Sequence, residues 1–263
     1  MEIPFARWYP VIPQRRSRRK YDKSLPIPAD IISGLKKVCA DFKPFPSGRA
    51  ELVIEPPDEV FKGAVGSYGK VMGAPAYLAF IGNRLSPYSH EIVGYTGEGV
   101  ILEATAQGLA TCWVAGLFQP EIVARHININ PDERVLAVSP LGYVKSKTTL
   151  EERFMAGFGR HYHRRPLSSL VSGLPCDKWP GWIEPALEAA RLAPSAINRQ
   201  PWRFHVETAS ITVSVGGNAP DFNISRRLDC GIAMLHLEIA ALSRGIKGKW
   251  ELLDSPLVAQ FNY

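Results

Sequence analysis

Apolar residues recur at two periods along the chain, and the order of those periods is nearly the same in its two halves. After Pro28 the stretch Ala29-Asp-Ile-Ile-Ser-Gly-Leu-Lys-Lys-Val-Cys39 places Ile31, Ile32, Leu35 and Val38 three and four apart, the spacing of an amphipathic helix. A strand follows at Ala50-Glu-Leu-Val-Ile-Glu-Pro56. The same helix, loop and strand return without a gap 152 residues later, from Pro180 to Thr208, with Ile183 over Ile31, Leu187 over Leu35 and Phe204 over Leu52. An apolar run at Pro75-Ala-Tyr-Leu-Ala-Phe-Ile-Gly82 predicts a further strand. Two long segments, 94–113 and 231–250, overlay at an offset of 137, pairing Gly94 with Gly231, Ala104 with Ala241, Gly108 with Gly245 and Trp113 with Trp250. Each is apolar on most faces and closes near a glycine, which predicts a central, largely buried helix. Gly, Pro and Ser concentrate at 171–180. The boundary is therefore placed there, between a first half at 1–173 and a shorter second half at 174–263 that shares one continuous core with it.

The composition fits a globular chain. It has 263 residues, 46% of them hydrophobic and 21% charged, enough apolar content to form a core rather than a disordered segment. No apolar run approaches the roughly 20 residues that cross a bilayer. The first 22 residues lack the apolar stretch of a secretory signal, so a cytoplasmic location and no membrane partner are expected. Cys39, Cys112, Cys176 and Cys230 are scattered without a Cys-x-x-Cys pair, which suggests buried free thiols rather than a metal site or a disulfide framework. The six histidines fall in no triad or metal spacing; His161 and His163, beside Arg164, read as solvated loop residues or indirect phosphate partners. The net charge of +6 is concentrated in one arm, because residues 1–20 hold five arginines and a lysine against Glu2.

Three segments carry candidate chemistry. In Arg15-Arg-Ser-Arg-Arg-Lys-Tyr21, guanidinium forks and a hydroxyl match phosphate oxygens; taken alone, the segment could equally be a solvated arm or a nucleic-acid tail. Pro194-Ser-Ala-Ile-Asn-Arg-Gln-Pro-Trp202 is a polar loop after a helix, able to grip a planar hydrogen-bonding ring, although Pro194 alone would suffice to stop that helix. Gly108-Leu-Ala-Thr-Cys-Trp-Val-Ala-Gly116 is a helix end running into a short strand and turn, where small residues let the backbone approach a ligand closely or simply pack.

Together these segments resemble the nitroreductase family of flavoproteins, whose hallmarks are an Arg-x-Ser-x-basic arm, a Pro-Ser-x-x-Asn-x-Gln-Pro-Trp loop and a Gly-Leu-x-Thr-Cys-Trp turn. A basic pair before a terminal helix, Arg164-Arg-Pro-Leu-Ser-Ser-Leu-Val171, adds a fourth similarity. The resemblance runs through 14–171 and restarts near 178; it is strongest to a tandem branch, typified by nitroreductases of thermophilic bacteria, that fuses two family units. It implies an α+β nitroreductase-like fold, an antiparallel-rich sheet flanked by helices in two unequal pseudo-symmetric halves.

In family dimers each flavin takes the arm from one subunit and the loop from the other. Here the first half has the arm but reads Pro46-Ser-Gly-Arg-Ala50 at the loop position, while the second half has the loop and no arm. One composite site in a monomer acting as an internal pseudo-dimer is the expectation. The resemblance implies FMN as cofactor, with Arg15, Arg16, Ser17, Arg164 and Arg165 at its phosphate. Arg19, with Lys70 as a second cation, would lie by the pyrimidine edge as electrostatic support. Pro194, Ser195, Ala196 and Asn198 would lie against the ring, and the turn Trp113, Val114, Ala115 and Gly116 would present the Ala115 amide to flavin N5. NADH or NADPH would deliver hydride, and a quinone or nitro compound would collect it in a ping-pong cycle with no protein acid or nucleophile. The fold also hosts dehalogenases and flavin-consuming enzymes, and a flavin-binding or degenerate scaffold without turnover is the alternative.

Overall fold

The computed structural model describes residues 1–62, 71–144, 163–217 and 223–263. A short helix α1 (Phe5–Trp8) and a 3₁₀ turn precede α2 (Ala29–Asp41). Pro28 caps α2 with a φ suited to a helix start, Asp30 sits in its first turn, and Leu35, Val38 and Cys39 form its buried stripe.

Strands β1 (Gly48–Val53), β2 (Ala76–Asn83), β3 (Ala110–Thr111) and β4 (Glu133–Gly142) form one antiparallel sheet in the order β1-β2-β4-β3, with α4 (Pro120–His126) between β3 and β4. Seven of the eight β2 residues are buried. Leu78 and Phe80 point into the large core while Tyr77, Ala79 and Ile81 point into a smaller one with Val123 and Val138. A strand covered on both faces must be apolar on both, which is why its sequence is a run rather than an alternation.

The second sheet holds β5 (Val171–Gly173), β6 (Trp202–Val206), β7 (Ser210–Val215), β8 (Lys249–Leu252) and β9 (Leu257–Asn262) in the order β5-β6-β7-β9-β8. Only β5–β6 is parallel. Helix α5 (Ile183–Arg191) leads towards β6. The architecture is α+β and antiparallel-rich, as the resemblance implies, but in two sheets.

The expected helix after Arg164-Arg165 is absent. A single 3₁₀ turn at Leu167–Ser169 gives way to β5, since Pro166, β-branched Val171 and Gly173 at φ 93° favour extension over helix. Cys39, Cys112 and Cys230 are buried, whereas Cys176 is exposed on a 3₁₀ turn in the linker.

The centre is built by α3 (Ser89–Ala106) and α6 (Arg226–Ser243), both of 18 residues and starting 137 positions apart, with Gly108 and Gly245 after them at φ 78° and 77°. Every residue from Glu91 to Ala104 is buried. The helices cross backbone to backbone: a Cβ on Gly94 would lie 2.1 Å from the Leu228 carbonyl oxygen, and one on Gly231 would lie 2.0 Å from that of Glu91. No side chain can flex to relieve those overlaps. Gly231→Ala is therefore expected to destabilise the protein by about 1–3 kcal/mol, a melting-temperature drop of roughly 2–12 °C by calorimetry at a few degrees per kcal/mol; an unchanged melt would mean the helices can separate freely.

Each central helix also receives an indole N–H from the segment beyond it. Trp113 donates to Glu98 at 2.6 Å and Trp250 to Glu238 at 2.7 Å. The tryptophans are 137 apart and the glutamates 140, so the acceptor has moved by three residues and stays on the same helix face.

Candidate functional site

The basic arm is held as an extra extended strand. Ser17 bridges to Thr111, and the Arg18 amide donates to the Thr111 carbonyl at 2.9 Å. Met72 then donates to the Arg19 carbonyl and accepts from the Tyr21 amide, each at 2.9 Å. The arm thus lies against β3, at the start of the 108–116 turn. Arg16 is exposed and ties back to the carbonyls of Pro13 and Arg15 at 2.7 and 2.8 Å. Arg15 behaves differently: its side chain is 6% exposed, its Nε stands 3.9 Å from Glu98, and Nε and Nη1 find no hydrogen-bond partner among the described residues. Burial lowers its pKa against the pull of Glu98.

The turn is fixed by reciprocal bonds of 2.9 Å between Val114 and Val138. Trp113 is locked below it, its ring 4.4 Å from that of Phe80 and its N–H on Glu98. Among the described residues the amides of Ala115 and Gly116 have no acceptor, so two N–H groups at the tip are available to a ligand.

The loop after α5 is conformationally strained. Ile197, Asn198 and Gln200 have φ of 48°, 57° and 48°, a left-handed region that is unfavourable for a β-branched residue and worth roughly 1–3 kcal/mol at each such position. Its bracing is correspondingly dense. The Gln200 amide donates to Ser195 Oγ at 3.0 Å, and Pro194 is buried beneath the turn. On the α6 side, Asp229 accepts from the Ala196 amide at 3.1 Å and from Arg199 Nε at 2.6 Å in a fully buried ion pair.

On the other side the loop is stitched to the basic pair. Asn198 Nδ2 and Gln200 Nε2 both donate to the His163 carbonyl at 3.0 Å, and Gln200 Oε1 accepts from the Arg165 amide at 2.8 Å. Arg164 donates to Asn198 Oδ1 and, at 3.0 Å, to the Leu192 carbonyl. Burial, reinforced by the positive charges of Arg15, Arg16 and Arg191, lowers the Arg164 guanidinium to about 10.

The fold therefore brings together what the sequence separates. Arg15 and Arg16 from the arm, Arg164 from the inter-sheet segment and Asn198 from the loop share one electropositive neighbourhood beside the 113–116 turn. Clustered guanidinium groups with unpartnered, buried N–H groups fit an anion with several oxygens, such as a phosphate. Ser17 is exposed beside Thr111, Arg165 is exposed with its backbone bound to the loop, and Arg19 is half-buried. Lys70 and His161 lie outside the described residues.

Three residues with no sequence motif belong to the same construction: Glu98, Asp229 and His236. The available signal was a carboxylate or imidazole inside an otherwise apolar helix, where an ionisable group is rarely buried unless paired.

The comparisons with known proteins follow that geometry. A family model described as "Putative TM nitroreductase" matches residues 8–241. The chain belongs to this nitroreductase family. A crystal structure of a putative nitroreductase from Thermotoga maritima shares its fold, with a TM-score of 0.65 at 19% identity over 97% of this chain and 93% of that one. A nitroreductase with bound FMN from Bacteroides fragilis aligns at 17% identity over 54% of this chain and 91% of its own, with a TM-score of 0.43. A putative NADH dehydrogenase/NAD(P)H nitroreductase from Bacteroides thetaiotaomicron aligns at 20% identity over 51% and 84%, with a TM-score of 0.41. None of the curated proteins matches. The nitroreductase match spans arm, turn, basic pair and loop alike, because all four lie within 8–241. No helix among the described residues of this family member is long and apolar enough to cross a membrane.

Proposed function

We propose that this chain is an FMN-dependent NAD(P)H oxidoreductase that reduces quinone or nitro-type acceptors, binding one FMN in a composite site between its two halves. The observation that carries the reading is the buried guanidinium of Arg15 beside Arg164: its Nε and Nη1 make no hydrogen bond and Glu98 stands 3.9 Å away, a costly arrangement to which a phosphate would supply the missing oxygens. When bound, FMN would accept hydride from NADH or NADPH and pass it to the acceptor.

The chain's own residues would bind and orient. Arg15, Arg16, Ser17 and Arg164 would hold the phosphate, with Arg165 beside them. The strained loop would set Pro194, Ser195, Ala196 and Asn198 against the ring, its conformation imposed by Asp229 and the His163 carbonyl. The free amide of Ala115 would donate to N5, held in place by the Val114–Val138 pair. Arg19 and Lys70 would stabilise negative charge at the pyrimidine edge.

The arm comes from the first half and the loop from the second, so a single chain would act as its own pseudo-dimer, without nucleic acid or membrane. The two central helices at a constant offset, crossing through paired glycines, support that reading.

The visible spectrum of freshly purified protein tests it, followed by anaerobic addition of NADH or NADPH. The expected result is a yellow protein with about one FMN per chain that bleaches on addition. Bound FMN that stays oxidised would favour a flavin-binding scaffold, and a colourless protein refusing added FMN would overturn the reading.

A further inference from the structure

Glu98 touches two of the three site segments, the arm and the turn, although it belongs to neither. Its side chain is fully buried in the middle of α3. One carboxylate oxygen, Oε2, accepts from the Trp113 indole at 2.6 Å, which anchors the turn carrying Ala115. The other, Oε1, stands 3.9 Å from Arg15 Nε and 3.0 Å from His236 Nε2 on α6. His236 is itself fully buried, with Nδ1 3.0 Å from the carbonyl oxygen of Ala189 on α5, the helix that feeds the strained loop.

The hydrogen-bond inventory fixes the number of protons. A backbone carbonyl only accepts, so Nδ1 carries a hydrogen; Nε2 then faces a carboxyl oxygen, and a second proton must lie between them. Glu98 and His236 together hold two protons and link α3, α6 and α5, an arrangement met either by an imidazolium–carboxylate pair or by a neutral imidazole facing a carboxylic acid. The guanidinium of Arg15, 3.9 Å away and repelled by Arg16 and Arg164, favours the ionic form, in which a negative oxygen faces it as its nearest countercharge.

We propose that Glu98 is the positioning residue of this site, holding Arg15 for the phosphate and Trp113 for the turn through its pairing with His236. This rests on the flavin reading above. Glu98 touches neither FMN nor an acceptor in this account and acts only through the side chains it holds.

Glu98→Gln isolates the charge. A glutamine amide can donate to a singly protonated His236 Nε2 while its oxygen still accepts from Trp113, so each hydrogen bond has a counterpart and only the negative charge before Arg15 is lost. Equilibrium binding of FMN and of riboflavin, which lacks the phosphate, is measured for wild type, Glu98→Gln, Arg15→Ala and the double variant. The expected result is at least a tenfold loss of the preference for FMN over riboflavin in Glu98→Gln, with no further loss when Glu98→Gln is added to Arg15→Ala. A residue of merely structural importance would weaken both ligands equally, so an unchanged preference overturns the proposal, as does an additive double variant.

Nitrogen NMR of the His236 ring in flavin-free protein checks the premise. Both ring nitrogens are expected to be protonated in the wild type and one in Glu98→Gln; a wild-type ring with one proton overturns the assignment. A wild type that takes up no FMN would overturn the flavin reading and this proposal with it, whereas FMN uptake with an unchanged preference in Glu98→Gln overturns the proposal alone.

Discussion

Protein carrying Arg15→Ala and Arg164→Ala together is expected to purify without flavin, its FMN affinity lowered roughly 10²–10⁴-fold. The magnitude follows from two charge-assisted contacts of about 1.5–3 kcal/mol each, at about 1.4 kcal/mol per decade of affinity. The two arginines should separate in their effect on the ligand-free fold. Arg15 has two buried nitrogens without hydrogen-bond partners, and Glu98, 3.9 Å away, keeps His236 as a partner, so Arg15→Ala alone is expected to leave the melting temperature unchanged or raised. Arg164 braces the loop through Asn198 and the Leu192 carbonyl, so Arg164→Ala is expected to lower it. Titration of FMN by fluorescence quenching, alongside thermal melts, checks both parts. A double variant with wild-type affinity would place the phosphate elsewhere.

The second large effect is expected from Asp229→Ala, which strands Arg199 in the core. The pair is buried on both sides, with side-chain exposures of 0% and 2%. Removing one partner of such a pair typically destabilises by about 3–5 kcal/mol, because the remaining charge has no compensation. A melting-temperature drop of roughly 6–20 °C is expected at a few degrees per kcal/mol. The loop should suffer with it, since Asp229 also holds the Ala196 amide.

The same carboxyl sets a pH dependence. Burial raises it from 3.8 to about 6 against the pull of Arg199 and the Ala196 amide. Folding then takes up a proton between those values. The contribution is complete below about 3.8 and is lost as pH rises through about 6. Melts of wild type and Asp229→Asn from pH 4 to 7 should differ by that slope; parallel curves would show that Asp229 stays ionised throughout.

Local periodicity carried the helix and strand that open each half, β2 and the two central helices. Helices α2 and α5 begin shortly after the prolines that the pattern assigns as starts, and the loop begins at the proline that stops α5. Leu35 and Leu187, chosen from the sequence as equivalent positions, are both buried, as are Leu52 and Phe204. The expectation that failed came from the resemblance and not from local pattern. The residues after Arg165 have enough apolar character for a helix, but Pro166 and Gly173 bias them against one, and pairing with β6 supplies the backbone hydrogen bonds that a helix would have made internally.

The sequence by itself determined the helix and strand that open each half, the two central helices with their paired glycines, and the chemical types in arm, turn and loop. Those follow from side-chain periodicity and from residues such as proline and glycine whose conformational limits are intrinsic. Only the tertiary structure decided that Arg15 is buried without hydrogen-bond partners, that Asn198 meets Arg164, and that Glu98 connects Trp113, Arg15 and His236. These are meetings across separations as long as 138 residues, and nothing in local periodicity encodes which buried carboxylate will face which cation. That pairing is set by the crossing of α3 and α6, where backbone contact at Gly94 and Gly231 brings the buried faces of the two halves together.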